Sequence, residues 1–249
     1  MIQPADVNIA DWPLPNGVRA IITTRRGGVS GGAYESLNLG LHVGDDPLAV
    51  DENRRRVGQL MPGAPLWMDQ VHGTRVFRIG QDAEGQGPPR ADAATTRLVA
   101  RPCAVMVADC LPVLFCEETG ACVAAAHAGW RGLAAGVIER TVEAMAVAPR
   151  RLTAYLGPAI GPAAFEVGQD VVDTFARLGP DSHCAFRPIA GRPGKYLADI
   201  YALARQRLAV AGVGQVAGGG LCTLSAPDRF FSFRRDGRTG RMAAIIWRE

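Results

Sequence analysis

The amino-acid sequence predicts a single-domain α+β fold in which the strands of a mixed sheet are layered with helices. Three observations carry this expectation. Apolar runs of strand length outnumber the helical patterns. Several of them face one another across short turns, as hairpins do, and the amphipathic helices are interspersed among them. The 249 residues, 48% hydrophobic and 20% charged, suffice for one substantial core, so residues 1–249 are read as one domain.

Residues 18–24, VRAIITT, form the first expected strand. It runs into a glycine-rich loop, 25–32, that could approach a ligand or simply turn. After residues 36–46 comes a helix from Pro47 to about Met61, with Asp45 or Asp46 as N-cap and Pro47 in its first turn. Arg54, Arg55 and Arg56 fall within it and read as a solvated face. Residues 65–70 and 75–79 are expected strands that place His72 at a turn tip. A polar loop, 80–90, and the segment 91–96 then lead to the stretch that organises the chain.

That stretch, 103–132, reads CAVMVADCLPVLFCEETGACVAAAHAGWRG. Three apolar runs, 103–107, 112–115 and 121–126, each have the length of a buried strand. Asp109 and Cys110 lie between the first two, and His127 closes the third. Helical spacing follows at Leu133, Val137, Ile138, Val142 and Met145, so His127 stands where a strand gives way to a helix. Free N–H groups at such a start, with Gly129 and Gly132 leaving room and Arg131 adding a fork of donors, can hold an anion. Further strands are expected at 152–156, 183–189, 218–223, 230–237 and 241–247. Helices are expected after Gly168 and from about Leu197 to Ala211.

The net charge of +3 is spread along the chain and gives no nucleic-acid patch. The first residues form neither a basic leader nor an apolar signal core, and no run is long enough to span a bilayer, so a cytoplasmic location is expected. Most of the six cysteines, which show no CxxC pair, should be reduced, with Cys103, Cys116 and Cys122 as small core residues. No heptad suggests a partner, so a monomer is expected.

His72, Cys110 and His127 are suitable zinc ligands that would leave one position open, yet their spacing of 38 and then 17 residues is no zinc-finger signature. From spacing alone, two structural histidines and an unrelated thiol remain an alternative.

Segments along nearly the whole chain carry a resemblance: TTRRGGVSGG at 23–32, SLNLGLHVGDD at 36–46, Asn53-Arg54, QVHG at 70–73, ADA at 91–93, ADCLPV at 108–113, AHAGWRG at 126–132, LGPAIGP at 156–162, Cys222-Thr223 and FFSFRRDGRTGRMA at 230–243. The sequence resembles the YfiH/PgeF-like family, whose members carry the names laccase-domain or polyphenol oxidase protein, purine nucleoside phosphorylase and peptidoglycan editing factor. The resemblance implies a layered α/β/β/α sandwich, a fold shared with the cytotoxic necrotizing factors, and a zinc site of His72, Cys110 and His127. It implies phosphorolysis of adenosine, inosine and methylthioadenosine to a free base and ribose 1-phosphate, with adenosine deamination as a further activity.

Phosphorolysis needs an anion site beside the sugar. Arg131 with the Gly129 helix start is the first choice, and Arg25 and Asn38 come next. Asp109 would orient a ligand, share a substrate proton, or only cap backbone N–H groups. Three alternatives stay open. A peptidoglycan-precursor hydrolase would use Cys110 as nucleophile and His127 as base. A copper-dependent polyphenol oxidase would need more ligands than one His-Cys-His set. In a binding module, zinc would be structural, with Cys222 closing its shell.

Overall fold

The computed structural model describes residues 2, 6–9 and 12–249 of the chain; the remainder of the segment read for a leader lies outside the described residues. In order, the strands are β1 Val7–Ile9, β2 Val18–Thr23, β3 Val76–Arg78, β4 Ala93–Thr96, β5 Cys103–Val107, β6 Leu111–Glu117, β7 Val123–Ala128, β8 Leu152–Leu156, β9 Glu166–Gly168, β10 Phe186–Pro188, β11 Lys195–Ala198, β12 Gln215–Gly218 and β13 Met242–Arg248. The helices are α1 Pro47–Gly58, α2 Trp130–Ala135, α3 Val137–Met145, α4 Gln169–Ala176, α5 Ile200–Val210 and α6 Phe233–Asp236.

Two large sheets face each other. One is mixed, in the order β12-β8-β6-β7-β4-β3, with parallel pairs at both edges. The other, β1-β2-β13-β5, is antiparallel throughout. Strand alternation sorts their side chains into layers. Ala20 and Ile22 of β2, Ala244 and Ile246 of β13, and Leu114 and Cys116 of β6 meet between the sheets. Leu111, Val113 and Phe115 of β6 face the other way, onto Ile138 and Val142 of α3 and Leu203 and Leu208 of α5. Ile21, Ala243 and Ile245 pack outward against Leu37, Leu39 and Val57, the last from α1. The layers run helix, sheet, sheet, helices, as expected. A small antiparallel sheet, β10-β11-β9, lies apart from these two.

Asp46 caps α1 by accepting from Leu48 N, with Pro47 in the first turn. Of the arginine run, Arg55 and Arg56 pair with Glu52 at 2.7 and 2.8 Å. Arg54 departs from a solvated face: it lies 4.5 Å over the Trp67 ring and donates to Leu39 O. The helix expected after His127 is two helices, split at Gly136, whose φ of 97° is a left-handed conformation that glycine adopts without strain.

Four expected strands are corrected. Residues 65–70 make only the bridges Leu66–Cys103 and Asp69–Arg90. Beside them the Gln70 amide donates to Met106 O and accepts from Met106 N, so a side chain takes the place of backbone pairing. Residues 230–237 contain the short helix α6, capped by Ser232 accepting from Arg235 N, and before it adjacent Phe230 and Phe231 are both buried rather than alternating. Residues 180–185 form a 3₁₀ helix before β10. At 218–220 three glycines with φ of 73°, 88° and 86° end β12. The segment 91–96, unassigned from sequence, carries β4, and Leu197 belongs to β11 because Asp199 caps α5. Among the described residues no helix is long and apolar enough to cross a membrane, and all six cysteines are free.

Candidate metal centre

His72, Cys110 and His127 arrive from three segments. His72 sits in the loop before β3, Cys110 in the turn from β5 to β6, and His127 one residue from the end of β7. Their ligand atoms lie within 4.8 Å of one another, the one such cluster of potential metal ligands among the described residues. Cys110 Sγ is 3.8 Å from His72 Nε2, and the two imidazoles meet edge to face with centroids 4.8 Å apart. Burial is graded: His127 is buried, Cys110 half-buried and His72 exposed, so the cluster opens on the His72 side.

Asp92, fully buried, holds this arrangement together. Its carboxylate accepts from the backbone N–H groups of Val71, His72 and Gly73 at 3.2, 2.8 and 2.7 Å. It also accepts from His127 Nδ1 at 2.9 Å. That bond needs the proton on Nδ1 and leaves Nε2 to act as a ligand, the usual carboxylate–histidine support of a metal site. His72 is held at φ 59° and Asp109 at φ 92°, conformations that cost non-glycine residues energy and persist only where neighbours impose them. The Asp109 carboxylate accepts from Thr223 Oγ1 and Arg234 N, both at 2.6 Å.

Electrostatics favour a thiolate. Burial pushes the Cys110 thiol up, but the charge of His127 and hydrogen bonds from His127 and His72 outweigh it and bring it down to about 6. Burial lowers His127, while Cys110 and Asp92 raise it to about 9. Burial also opposes ionisation of Asp92, yet His127 and the Gly73 N–H keep its carboxyl below the ordinary range. Without metal these shifts favour a thiolate–imidazolium pair, and a cation bound through both imidazoles would displace the His127 Nε2 proton.

The donor set fits a borderline cation such as zinc. Gly129 lets the backbone approach two of these ligands closely: a Cβ there would stand 2.9 Å from Cys110 Sγ and 3.1 Å from His72 Cδ2.

Two hollows adjoin the cluster and share His72, Ala108, Cys110 and Phe233. The first, about 230 Å³, adds His42, Gln70, Met106 and Arg241. The second, about 290 Å³, adds Trp130, Ile160, Phe165 and Ile200, with Asp109, Arg131 and Arg234.

Of the residues chosen from sequence, His72, Cys110, His127 and Gly129 come together, and Asp109 and Arg131 line the second hollow. Arg131 is exposed and lies 4.5 Å over the Trp130 ring, and the helix it starts has only six residues. Arg25 stands elsewhere, donating to Glu35 O and Pro227 O in a separate notch. Asn38 is wholly buried; its amide donates to Asp45 and its oxygen accepts from Gly40 N and Arg241 N. Cys222 is outside the cluster, its sulfur accepting from Gly161 N. Sequence reasoning missed Asp92, Phe233, Arg234 and Arg241. The available signal for Asp92 was a lone acid between alanines in an apolar run.

A family model described as multi-copper polyphenol oxidoreductase laccase matches residues 19–249. A Pseudomonas aeruginosa protein named purine nucleoside phosphorylase PA4543 is 53% identical over 237 residues, which is 95% of this chain and 96% of its own. The Escherichia coli K12 protein named purine nucleoside phosphorylase YfiH is 52% identical over 242 residues, covering 96% and 97%. Among solved structures, Neisseria meningitidis protein NMB0706 matches with a TM-score of 0.93 at 53% identity over 98% of this chain and 99% of its own. YlmD from Geobacillus stearothermophilus matches with a TM-score of 0.90 at 33% identity over 100% and 98%.

Proposed function

The chain belongs to the YfiH family, whose sequence model is described as multi-copper polyphenol oxidoreductase laccase, and we propose that it is a zinc-dependent purine nucleoside phosphorylase acting as one catalytic unit. Its substrates are adenosine, inosine and methylthioadenosine with phosphate, and its products a free base and ribose 1-phosphate. The observation that carries this reading is a His-Cys-His ligand set opening onto a hollow with aromatic walls and arginines at its edge. Relatives at 52 and 53% identity carry the phosphorylase name.

In phosphorolysis a phosphate oxygen bonds to C1′, the C1′–N9 bond breaks with its electron pair going to the base, and the base takes up a proton. Trp130, Phe165 and Phe233 offer faces on which a purine can stack. Arg131, Arg234 and Arg241 line the two hollows and give the site the positive potential that draws in a phosphate. Asp92 keeps His127 in one tautomer and the His72 loop in one conformation. His72, Cys110 and His127 would hold zinc, which when bound would supply Lewis-acid activation of water, the chemistry that adenosine deamination as a further activity would use.

The protein acts as a monomer on small molecules, in a cytoplasm that keeps its six free cysteines reduced. The low Cys110 pKa supports a second reading, a peptidoglycan-precursor hydrolase with Cys110 as nucleophile and His127 as base. Copper oxidation of phenols is least favoured, since one three-ligand cluster among the described residues cannot hold several coppers.

Product analysis on metal-quantified protein with adenosine and phosphate, beside Cys110→Ala, tests the proposal. Free base with ribose 1-phosphate, lost in the variant, supports phosphorolysis. Inosine alone supports deamination. Activity on a cell-wall precursor that survives chelation would transfer the function to the hydrolase.

A further inference from the structure

Two hollows meeting at a shared partition give the reaction a direction. In an in-line displacement at C1′, phosphate enters on the face opposite the departing base, so the two need subsites on either side of the sugar. His72, Ala108, Cys110 and Phe233 border both hollows, so a sugar resting against them would have one hollow for the base and the other for phosphate. The second hollow has the apolar and aromatic walls that suit a planar base. In the first, Gln70 spends both ends of its amide on the Met106 backbone, which leaves Arg241 and His42 with donors to offer.

Arg241 is built into place. Asn38, fully buried, accepts from Arg241 N at 2.9 Å, and Arg241 Nη1 donates to the carbonyls of Thr239 and Gly240 at 3.0 and 3.1 Å. A Cβ on Gly40 would lie 2.8 Å from Arg241 Cγ, so the side-chain stem packs onto that glycine. Arg131, by contrast, is an exposed side chain lying on Trp130, and both it and Arg234, whose Nη1 donates to Glu166 O at 2.9 Å, line the second hollow and not the first.

We infer that Arg241, with His42 beside it, forms the phosphate subsite, and that the hollow walled by Trp130, Ile160, Phe165 and Ile200 takes the purine. This rests on the phosphorolysis reading and adds an orientation to it. Arg241 is a binding residue for the nucleophile, and Asn38 and Gly40 are its positioning residues.

The test uses metal-loaded wild type, Arg241→Ala, Arg241→Lys and Arg131→Ala, with a thermal melt and metal content as folding controls. Inorganic phosphate binding is measured by calorimetry without nucleoside, and phosphate and inosine KM are measured separately. Losing one charge-assisted contact predicts a phosphate affinity in Arg241→Ala lower by roughly 10- to 100-fold, with phosphate KM raised in parallel and inosine KM little changed. Arg241→Lys recovers part of the loss, and it remains informative should the alanine variant fail to fold. Phosphate affinity that falls in Arg131→Ala and holds in Arg241→Ala overturns the assignment. Wild-type turnover with an unchanged phosphate KM in both Arg241 variants defeats the subsite and spares the phosphorylase. Phosphate binding lost in Arg241→Ala, from a protein that releases no base, spares the subsite and defeats the phosphorylase. Wild type that neither binds phosphate nor turns over refutes both.

Discussion

Replacing Asp92 by asparagine tests whether one carboxylate holds both histidine ligands. Its two oxygens accept four N–H groups, His72 N and His127 Nδ1 at Oδ1, and Val71 N and Gly73 N at Oδ2. An amide keeps one of those oxygens and presents an NH₂ where the other stood, so two buried donors lose their acceptor in either orientation. At about 1–3 kcal/mol for each unmet group, the metal-free variant should lose about 2–6 kcal/mol of stability. Zinc affinity should fall by roughly 10- to 100-fold, the usual effect of removing a partner of a ligating histidine. Urea denaturation of metal-free protein gives the first quantity and competitive zinc titration the second. The pH profile supplies a further check. The folded-state pKa of Asp92 is depressed, so its contribution is present above the ordinary carboxylate range and fades as pH falls through the lowered value. The Asp92→Asn variant would lack that acid-side loss. A variant within about 0.5 kcal/mol of wild type that binds zinc as tightly would refute the reasoning.

Metal-free protein should show thiolate absorbance that titrates near 6, and His127→Ala should move that midpoint upward, because burial then acts with less opposition. The same pair fixes a stability profile. Cys110, depressed to about 6 from 9.0, adds stability as pH rises towards 9.0; His127, raised to about 9 from 6.5, loses it as pH rises through about 9. Between 6.5 and 9 the two slopes cancel, so denaturation of metal-free wild type should be nearly flat with pH there. Gly129→Ala should weaken zinc binding with secondary structure intact, since φ of −61° accepts alanine while the added Cβ meets Cys110 Sγ at 2.9 Å; about 1–3 kcal/mol of strain is expected in the melt and the zinc titration. Cys222→Ala should retain stoichiometric zinc by elemental analysis, because its sulfur lies outside the cluster.

Most of the strands legible in sequence are buried on both faces, although half-exposed β3 was also read and fully buried β4 was not. β5, β6, β7 and β13 lie between layers, so nearly every residue is apolar and the run itself is the signal. Residues 65–70 gave the same signal without a ladder, because the Gln70 amide binds Met106 in place of main chain. Periodicity through Leu133 and Val137 continued across Gly136, since a left-handed residue redirects a helix without interrupting its apolar face. At 230–237 the aromatic residues imitated a strand. What decided the helix there was Ser232 capping Arg235 N and the Asp109 carboxylate accepting from Arg234 N, a contact across 125 residues that no local pattern contains.

The candidate site divides along the same line. His72, Cys110 and His127 were legible as residue types at expected turns or strand ends, although only family resemblance joined them. Asp92 was hidden because its role depends on strand register. β4 and β7 pair Ala93 with Ala126, so continuing that ladder by one step sets Asp92 opposite His127, where His127 N donates to Asp92 O at 2.7 Å. On its other side β7 pairs His127 with Pro112, two residues beyond Cys110. His127 is therefore fixed by strands on both flanks, and Cys110 by a tight turn from one of them. His72 has no strand of its own and stays at φ 59° through N–H groups that all converge on Asp92. The acid that sets the tautomer of the most buried ligand thus also positions the most exposed one, and loosening it should release the metal from the His72 side first.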